Sequence, residues 1–153
     1  YGADREQVVS VLNEVLATEI VCTLRYTHHA LMADGMFGEI VKKEFEEHAA
    51  EERGHAEKVA ERIRQLDGKP DMNPASLTAR SHAEYREGDG LIGMIKENLV
   101  AERIAIHSYS EVARWLGERD PTTRRMIEEI LEQEEEHADE MADLLQRLQK
   151  EQK

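Results

Sequence analysis

The chain has 153 residues, about the size of one ordinary domain, and carries 33 acidic against 20 basic residues, a net charge of -13. This charge excludes a general affinity for nucleic-acid backbones or anionic membranes, so nucleic acid is not an expected partner. The single cysteine, Cys22, excludes an intramolecular disulfide framework and fits a reducing compartment. We find no apolar run of about 20 residues and no signal-peptide start, and therefore predict a soluble, cytoplasmic protein without a membrane segment.

Turn signals divide the chain into four long helices. The predicted helices are residues 4–33, 39–66, 91–116 and 121–149. The fourth has Asp120 as its N-cap and Pro121 at its first position, where a missing N–H costs nothing. The pattern over residues 71–90 is poor, and this segment is the long connection between helices two and three.

The lengths of the links predict how the helices are arranged. Short links join helices one to two and three to four, which makes each pair an antiparallel hairpin. The long connection between helices two and three can return the chain along the bundle, which is the ferritin-like arrangement. The sequence therefore predicts an all-α, ferritin-like four-helix bundle, with one long crossover, as a single domain over residues 1–153.

The inward stripe of every predicted helix is apolar at its ends and ionisable in its middle. The ionisable residues are Glu19 on helix one, Glu52 and His55 on helix two, Glu102 on helix three, and Glu134 and His137 on helix four. A carboxylate in a core costs several kcal/mol unless it is paired or bound to a metal, and the stripes contain no lysine or arginine. The alternative is a metal-free core with satisfied polar groups.

An internal repeat strengthens this pattern. Glu19 and Tyr26 match Glu102 and Tyr109 at an offset of 83 residues, and the two Glu-x-x-His motifs match at an offset of 82. Each half thus supplies a glutamate, a tyrosine and a Glu-x-x-His motif to a pseudo-symmetric site. The tyrosines are expected either to donate hydrogen bonds to the carboxylates or to be ordinary core residues.

The charge of the predicted site favours two divalent cations. Four carboxylates carry a charge of about -4 and two divalent metals about +4, which leaves a nearly neutral centre in a buried environment. Oxygen-rich ligands with one histidine per metal are typical of iron or manganese, and this ligand set is the di-iron carboxylate pattern. In such sites the glutamates of the two Glu-x-x-His motifs, Glu52 and Glu134, bridge the metals, while Glu19 and Glu102 each bind one.

The chain resembles the bacterioferritins over nearly all of its length. The resemblance lies in Ala17-Thr18-Glu19-Ile20-Val21 with Tyr26 and His29, in Glu51-Glu52-Arg53-Gly54-His55-Ala56-Glu57, and in Glu134-Glu135-Glu136-His137-Ala138-Asp139. It implies a ferroxidase centre formed by Glu19, Glu52, His55, Glu102, Glu134 and His137. It further implies that two Fe(II) ions are oxidised there by dioxygen or hydrogen peroxide, and that Fe(III) is stored inside a hollow homo-oligomer.

Two departures from the bacterioferritin pattern modify these expectations. Arg53 stands where that family has a haem-ligating methionine, so haem is not expected. Few residues follow His137, which leaves no room for a fifth helix that lines the channels of a 24-subunit shell. The chain is therefore more similar to the bacterioferritin-like members of the mini-ferritin group, the group that includes DNA-protection-during-starvation proteins, and we expect 12 subunits in preference to 24.

Two other functions remain open at this stage. A di-metal peroxidase or catalase of the rubrerythrin or manganese-catalase type is the enzymatic alternative, and a non-catalytic helical bundle is the other. His48 lies one turn before Glu52 and is expected to be either a core or entry-path histidine or a third nitrogen near the centre. Cys22 is expected to face the core. The remaining histidines are assigned to surface, interface or entry-path positions: His28, His29, His82 and His107.

Overall fold

The computed structural model describes residues 1–151 and contains five α-helices and no strand within them. Residues 152 and 153, the last two of the predicted domain, lie outside the described residues. The helices are α1 (Arg5–Met32), α2 (Gly38–Gln65), α3 (Pro74–Arg80), α4 (Gly90–Leu116) and α5 (Pro121–Glu151). The four long helices match the predicted ones to within two residues at each end.

The long helices form two hairpins, as predicted. α1 packs along α2, and α4 packs along α5, while thinner contacts between α1 and α4 and between α2 and α5 join the hairpins into one bundle. The chain from the end of α2 to the start of α4 is the long crossover, and α3 within it packs against α1. The prediction of an all-α, ferritin-like four-helix bundle is confirmed.

The short helix α3 lies within the connection of residues 71–90, where the sequence pattern indicated no particular element. Asn73 caps its start by accepting a hydrogen bond from the Ala75 N–H at 3.0 Å, and Pro74 occupies its first position. With 7 residues and none of them buried, α3 has no apolar stripe that a search for helical periodicity could detect. It is stabilised by its cap and by its contact with α1.

The predicted cap of the last long helix is present. Asp120 is 2% exposed, and its carboxylate accepts hydrogen bonds from the Thr123 N–H at 3.0 Å and from Arg62 Nη2 at 3.1 Å. Tyr1 donates a further hydrogen bond from its hydroxyl to the same carboxylate. The cap therefore joins α5 to the end of α2 and to the N-terminal residue.

Replacing this cap should destabilise the protein. We expect Asp120→Ala to lower the free energy of unfolding by about 2 kcal/mol, because it removes a helix cap and leaves Arg62 without its partner. Thermal unfolding midpoints measured at one protein concentration test this, and Glu118→Ala, an exposed change two residues away, should have little effect.

The Asp120 interaction should also depend on pH. Burial alone would raise the pKa of Asp120, but hydrogen bonds from Thr123 and Tyr1 outweigh it and lower the pKa below its ordinary value of 3.8. A lowered folded-state pKa means that the stabilisation is complete above about pH 3.8 and is lost as the pH falls through the folded-state pKa. The difference between wild type and Asp120→Ala should therefore shrink in acid; a difference that grows there would contradict this account.

The core contains two large apolar clusters at opposite ends of the bundle, besides a small one of Cys22, Ala83 and Ala101. One is built around residues such as Leu12, Val59 and Ile127, and the other around Val41, Phe45 and Met141. The ionisable residues of the four stripes lie between them. The predicted alternation of apolar ends and an ionisable middle is therefore the observed organisation of the core.

Helix α1 requires a correction to the prediction that no segment could span a membrane. It contains an 18-residue window with a mean hydropathy of 1.4, so by length and composition alone it passes as a spanning helix. Half of that window is buried inside the bundle, where α1 packs along α2. Its apolar character serves the core of this fold, and its buried side also carries Glu19, which a lipid-facing surface would not.

Candidate metal centre

The six predicted site residues converge in the middle of the bundle. Each of them is at most 3% exposed: Glu19, Glu52, His55, Glu102, Glu134 and His137. Their potential ligand atoms form two groups, in each of which one atom per residue lies within 4.8 Å of the others. The first group is Glu19, Glu52, His55 and Glu134, and the second is Glu52, Glu102, Glu134 and His137. Glu52 and Glu134 belong to both groups, as two bridging carboxylates would.

Both histidines turn the same ring nitrogen towards the carboxylates. His55 Nδ1 lies 3.0 Å from Glu134 Oε1 and 3.5 Å from Glu19 Oε2. His137 Nδ1 lies 2.8 Å from Glu52 Oε1 and 3.8 Å from Glu102 Oε1. Each histidine therefore faces the Glu-x-x-His glutamate of the opposite hairpin, and Nδ1 is the atom available to a metal in both.

The two tyrosines donate the hydrogen bonds that the repeat suggested. The Tyr26 hydroxyl donates to Glu102 Oε1 and the Tyr109 hydroxyl donates to Glu19 Oε1, both at 2.8 Å. Both tyrosines are fully buried. Each bond crosses from one hairpin to the other, so each tyrosine orients the carboxylate of the opposite repeat and leaves its second oxygen free.

Two residues at the site escaped the sequence analysis. Glu51 Oε2 accepts a hydrogen bond from His137 Nε2, and Gln133 Oε1 accepts one from His55 Nε2. Partners of this kind hold an imidazole ring in place and fix the proton on the nitrogen that does not bind metal. The signal was present in the repeat, since Glu51 and Gln133 stand at the 82-residue offset directly before the two motif glutamates.

The four carboxyl groups have different proton affinities in the metal-free protein. Burial and the negative charges around them raise the pKa of Glu52 and of Glu134 well above their ordinary value. Burial would also raise the pKa of Glu102, but the close approach of Glu134 and His137 outweighs it and lowers that pKa to about 2. The pKa of Glu19 is also lowered, by the close approach of Glu52 and His55, against burial.

The histidines compensate the remaining negative charge. Burial would lower the pKa of His55, but its contact with Glu19 and that carboxylate's charge raise it to about 9. The pKa of His137 is raised for the same reason by Glu102 and Glu134, against burial. The raised pKa values of Glu52, Glu134, His55 and His137 favour protonation, so protons offset negative charge that divalent cations would otherwise offset.

The donor set fits such cations. Within residues 1–151, several buried side-chain atoms at this site have no hydrogen-bond partner: Glu19 Oε2, both carboxylate oxygens of Glu52, Glu102 Oε2, Glu134 Oε2 and His137 Nδ1. Unpaired buried polar atoms are costly, and within residues 1–151 all of them except His48 Nδ1 belong to the six site residues. They are the lone pairs that two hard or intermediate divalent ions would use.

His48 lies next to this centre and is a buried histidine. It is 1% exposed, and its ring stacks on the ring of His137 with 4.1 Å between centroids. Its Nε2 points away from the centre towards Glu140 Oε2 at 2.6 Å and Glu44 Oε1 at 3.7 Å. Of the open possibilities, the geometry favours a histidine beside the centre and not a direct third nitrogen ligand.

A buried polar network that the sequence analysis missed anchors the crossover beside the site. Arg25 is fully buried and donates hydrogen bonds to Asn98 Oδ1 at 2.9 Å, to the Glu84 carbonyl at 3.0 Å and to Cys22 Sγ at 3.3 Å. Asn98 in turn contacts His29 Nδ1 at 2.8 Å. Cys22 is buried as predicted.

The position of His29 differs from the predicted one. It was assigned to a surface, interface or entry-path position, but it is fully buried and its Nε2 lies 3.0 Å from the carbonyl oxygen of Arg86. The assignment failed because the partners of His29 come from the crossover, whose path along the bundle is not encoded in the periodicity of α1.

The fold and the buried carboxylate–histidine cluster together define the class of ferritin-like, di-iron carboxylate bundles. The model of the Ferritin family, described as a ferritin-like domain, matches residues 9–151, and the chain belongs to this family. A DNA protection during starvation protein from Pyrococcus furiosus is 31% identical over 139 residues, which cover 89% of this chain and 75% of that protein.

Solved structures agree with this assignment. A dodecameric thioferritin, the bacterioferritin-related protein from Bacteroides fragilis, matches with a TM-score of 0.94 and 31% identity, covering 99% of this chain and 91% of the other. The bacterioferritin from Desulfovibrio desulfuricans, a protein with a di-iron site, matches with a TM-score of 0.83 and 25% identity, covering 95% and 82%. The resemblance to bacterioferritins and to DNA-protection proteins is confirmed.

Proposed function

We propose that this protein is a ferroxidase that stores or detoxifies iron. It binds two Fe(II) ions between Glu19, Glu52, His55, Glu102, Glu134 and His137 and oxidises them to Fe(III). The observation that carries the proposal is the pair of ligand groups that share Glu52 and Glu134 in a fully buried core. The di-iron site of the bacterioferritin from Desulfovibrio desulfuricans supports it.

The proposed reaction balances with either oxidant. Two Fe(II) ions give up one electron each, and these two electrons with two protons reduce dioxygen to hydrogen peroxide. With hydrogen peroxide as oxidant, the same two electrons and two protons give two molecules of water. Iron is the substrate here, with manganese as the other metal that this oxygen-rich donor set accepts.

The residues of the chain contribute position and charge. Glu52 and Glu134 hold both ions, while Glu19 with His55 and Glu102 with His137 each hold one. Tyr26 and Tyr109 each hold one oxygen of a terminal carboxylate and leave the other free for metal, and the two apolar clusters keep water from the ends of the centre.

Iron reaches the centre, in this proposal, across the face formed by α2 and α5. The outward ring nitrogens of both site histidines contact residues on that face, and exposed or half-exposed glutamates lie along α2 and α5: Glu44, Glu47, Glu51, Glu136 and Glu140. A concentration of carboxylates raises the local concentration of cations. The same face gives Fe(III) oxygen ligands on which mineral can begin to form.

We propose that the protein assembles into a hollow homo-oligomer, with 12 subunits favoured over 24. The dodecameric relative from Bacteroides fragilis supports this number. Large apolar side chains remain exposed on the single chain, among them Leu24, Leu31, Met32, Ile40 and Val100. Surfaces of this kind are typical of subunit contacts. The mass of the assembly, measured by light scattering, tests the number.

The proposed activity is tested by aerobic oxidation of Fe(II). Metal-free wild type should form Fe(III) rapidly, and Glu102→Ala should do so far more slowly, because one metal loses its terminal carboxylate. Fe(III) formation is followed by absorbance in both proteins under identical conditions. Equal rates in wild type and variant would refute the ferroxidase assignment.

The two tyrosines should have a smaller effect than the ligands. We expect Tyr26→Phe to lower the Fe(II) affinity of the metal position that Glu102 belongs to, and with it the oxidation rate, about tenfold, because Glu102 loses the bond that orients it. Tyr109→Phe should act in the same way through Glu19. Stopped-flow oxidation and anaerobic binding titrations measure the two quantities, and Tyr85→Phe, an exposed tyrosine, is the matched control.

A further inference from the structure

The two halves of the site are related by the repeat, which allows a residue-by-residue comparison of the two metal positions. The ligands themselves match, and so do the two tyrosine hydrogen bonds at 2.8 Å. The surroundings of the histidines do not match. His137 donates to the carboxylate of Glu51, whereas His55 donates to the neutral amide of Gln133.

The surroundings of the two histidines also differ beyond Glu51 and Gln133. His48, which stacks on His137, has Ile130 as its counterpart at the 82-residue offset, and Ile130 is buried in an apolar cluster. Glu44 and Glu140, which face His48, correspond at the same offset to Met126 and Lys58. Three carboxylates thus lie against His137 or against the His48 ring stacked on it, while the equivalent positions of the other repeat carry a neutral amide, a thioether and an ammonium group.

These differences all act in the same direction on a bound cation. A carboxylate that accepts the outer N–H of a histidine ligand makes that imidazole a stronger donor, and losing such a partner typically lowers metal affinity about 10–100-fold. Nearby carboxylates attract a divalent cation, and a lysine repels it. The tyrosines and bridging carboxylates, which are common to both halves, cannot cancel the difference.

We propose that the two metal positions are unequal, and that the position formed by Glu102 and His137 binds a divalent cation more tightly and fills first. The position formed by Glu19 and His55 is the weaker one, held back by Gln133. This inference rests on the proposed function of the centre, since it concerns the order in which that centre loads. It assigns Glu51 and Gln133 as positioning residues that set the affinity of each half.

Variants that keep only one metal position distinguish a real difference in affinity between the two positions from repulsion between two bound ions. His55→Ala leaves the position at His137, and His137→Ala leaves the position at His55. Each metal-free protein is titrated anaerobically with Co(II), a probe that does not turn over, and binding is followed by calorimetry and by Co(II) absorption. We expect His55→Ala to bind Co(II) about tenfold more tightly, or more, than His137→Ala.

Adding Gln133→Glu to both variants tests whether Gln133 causes the difference in Co(II) affinity. In the His137→Ala protein this change should raise Co(II) affinity about tenfold, because His55 then donates to a carboxylate. In the His55→Ala protein, where the affected histidine is absent, it should change affinity far less, which makes that protein the matched control. Circular dichroism shows whether each variant keeps its helical fold.

The outcomes are distinct. Equal affinities in the two single-position variants, or equal gains from Gln133→Glu in both, would overturn the proposed inequality while leaving the di-metal centre intact. Wild type that binds fewer than two Co(II) ions per chain would refute the proposed centre itself.

Discussion

Replacing Glu134 by alanine should lower the rate of Fe(II) oxidation at least about 100-fold. Glu134 belongs to both ligand groups, so its loss removes an oxygen from each metal position at once. The effect should exceed that of Glu102→Ala, which removes a ligand from one position only. Single-turnover oxidation, with two Fe(II) per chain, compares the three proteins.

The control for this change is Glu135→Ala. Glu135 is the next residue on α5 and is exposed, so its removal subtracts the same charge without touching the centre. Rapid oxidation should persist in Glu135→Ala. Retention of the wild-type rate by Glu134→Ala, or a larger loss in Glu102→Ala, would contradict the assignment of Glu134 as a shared ligand.

Metal binding should stabilise the protein more than any single side-chain change. The metal-free core contains unpaired carboxylate oxygens, and a ligand that binds only the folded state at about 1,000 times its dissociation constant adds about 4 kcal/mol per site. We therefore expect Co(II) to raise the midpoint of thermal unfolding of wild type by about 10 °C or more.

The rise in the unfolding midpoint caused by Co(II) should disappear when a shared ligand of the centre is removed. Glu52→Ala removes the other shared carboxylate and should show little stabilisation by Co(II). His107→Ala, which removes an exposed histidine, should keep the full shift and thus exclude non-specific binding. Scanning calorimetry measures all three proteins, and an equal shift in wild type and Glu52→Ala would contradict the proposed ligand set.

The long helices and the convergence of the six residues could be predicted because both depend on local periodicity. A carboxylate or histidine in register with an apolar stripe must enter the core wherever the helices pack. Glu19 and His137 are separated by most of the chain, but each is placed by the stripe of its own helix. The repeat then indicated which residues face each other.

The parts that could not be predicted depend on contacts outside any stripe. α3 is fixed by its cap and by α1, and it has no buried residue that would reveal it. Arg25 and His29 are buried because the crossover supplies carbonyl oxygens to them. Glu51 and Gln133 are exposed residues whose importance comes from the hydrogen bonds they accept across the α2–α5 interface, which hydrophobic patterning cannot show.

The most direct test of the account is the location of iron in the protein. Crystals soaked with Fe(II) without oxygen, and measured at the iron absorption edge, should show two anomalous peaks in each chain. One peak should contact His55 Nδ1, the other His137 Nδ1, with Glu52 and Glu134 in contact with both. Iron found only on the exposed glutamates of α2 and α5, with none between the four helices, would contradict the central claim.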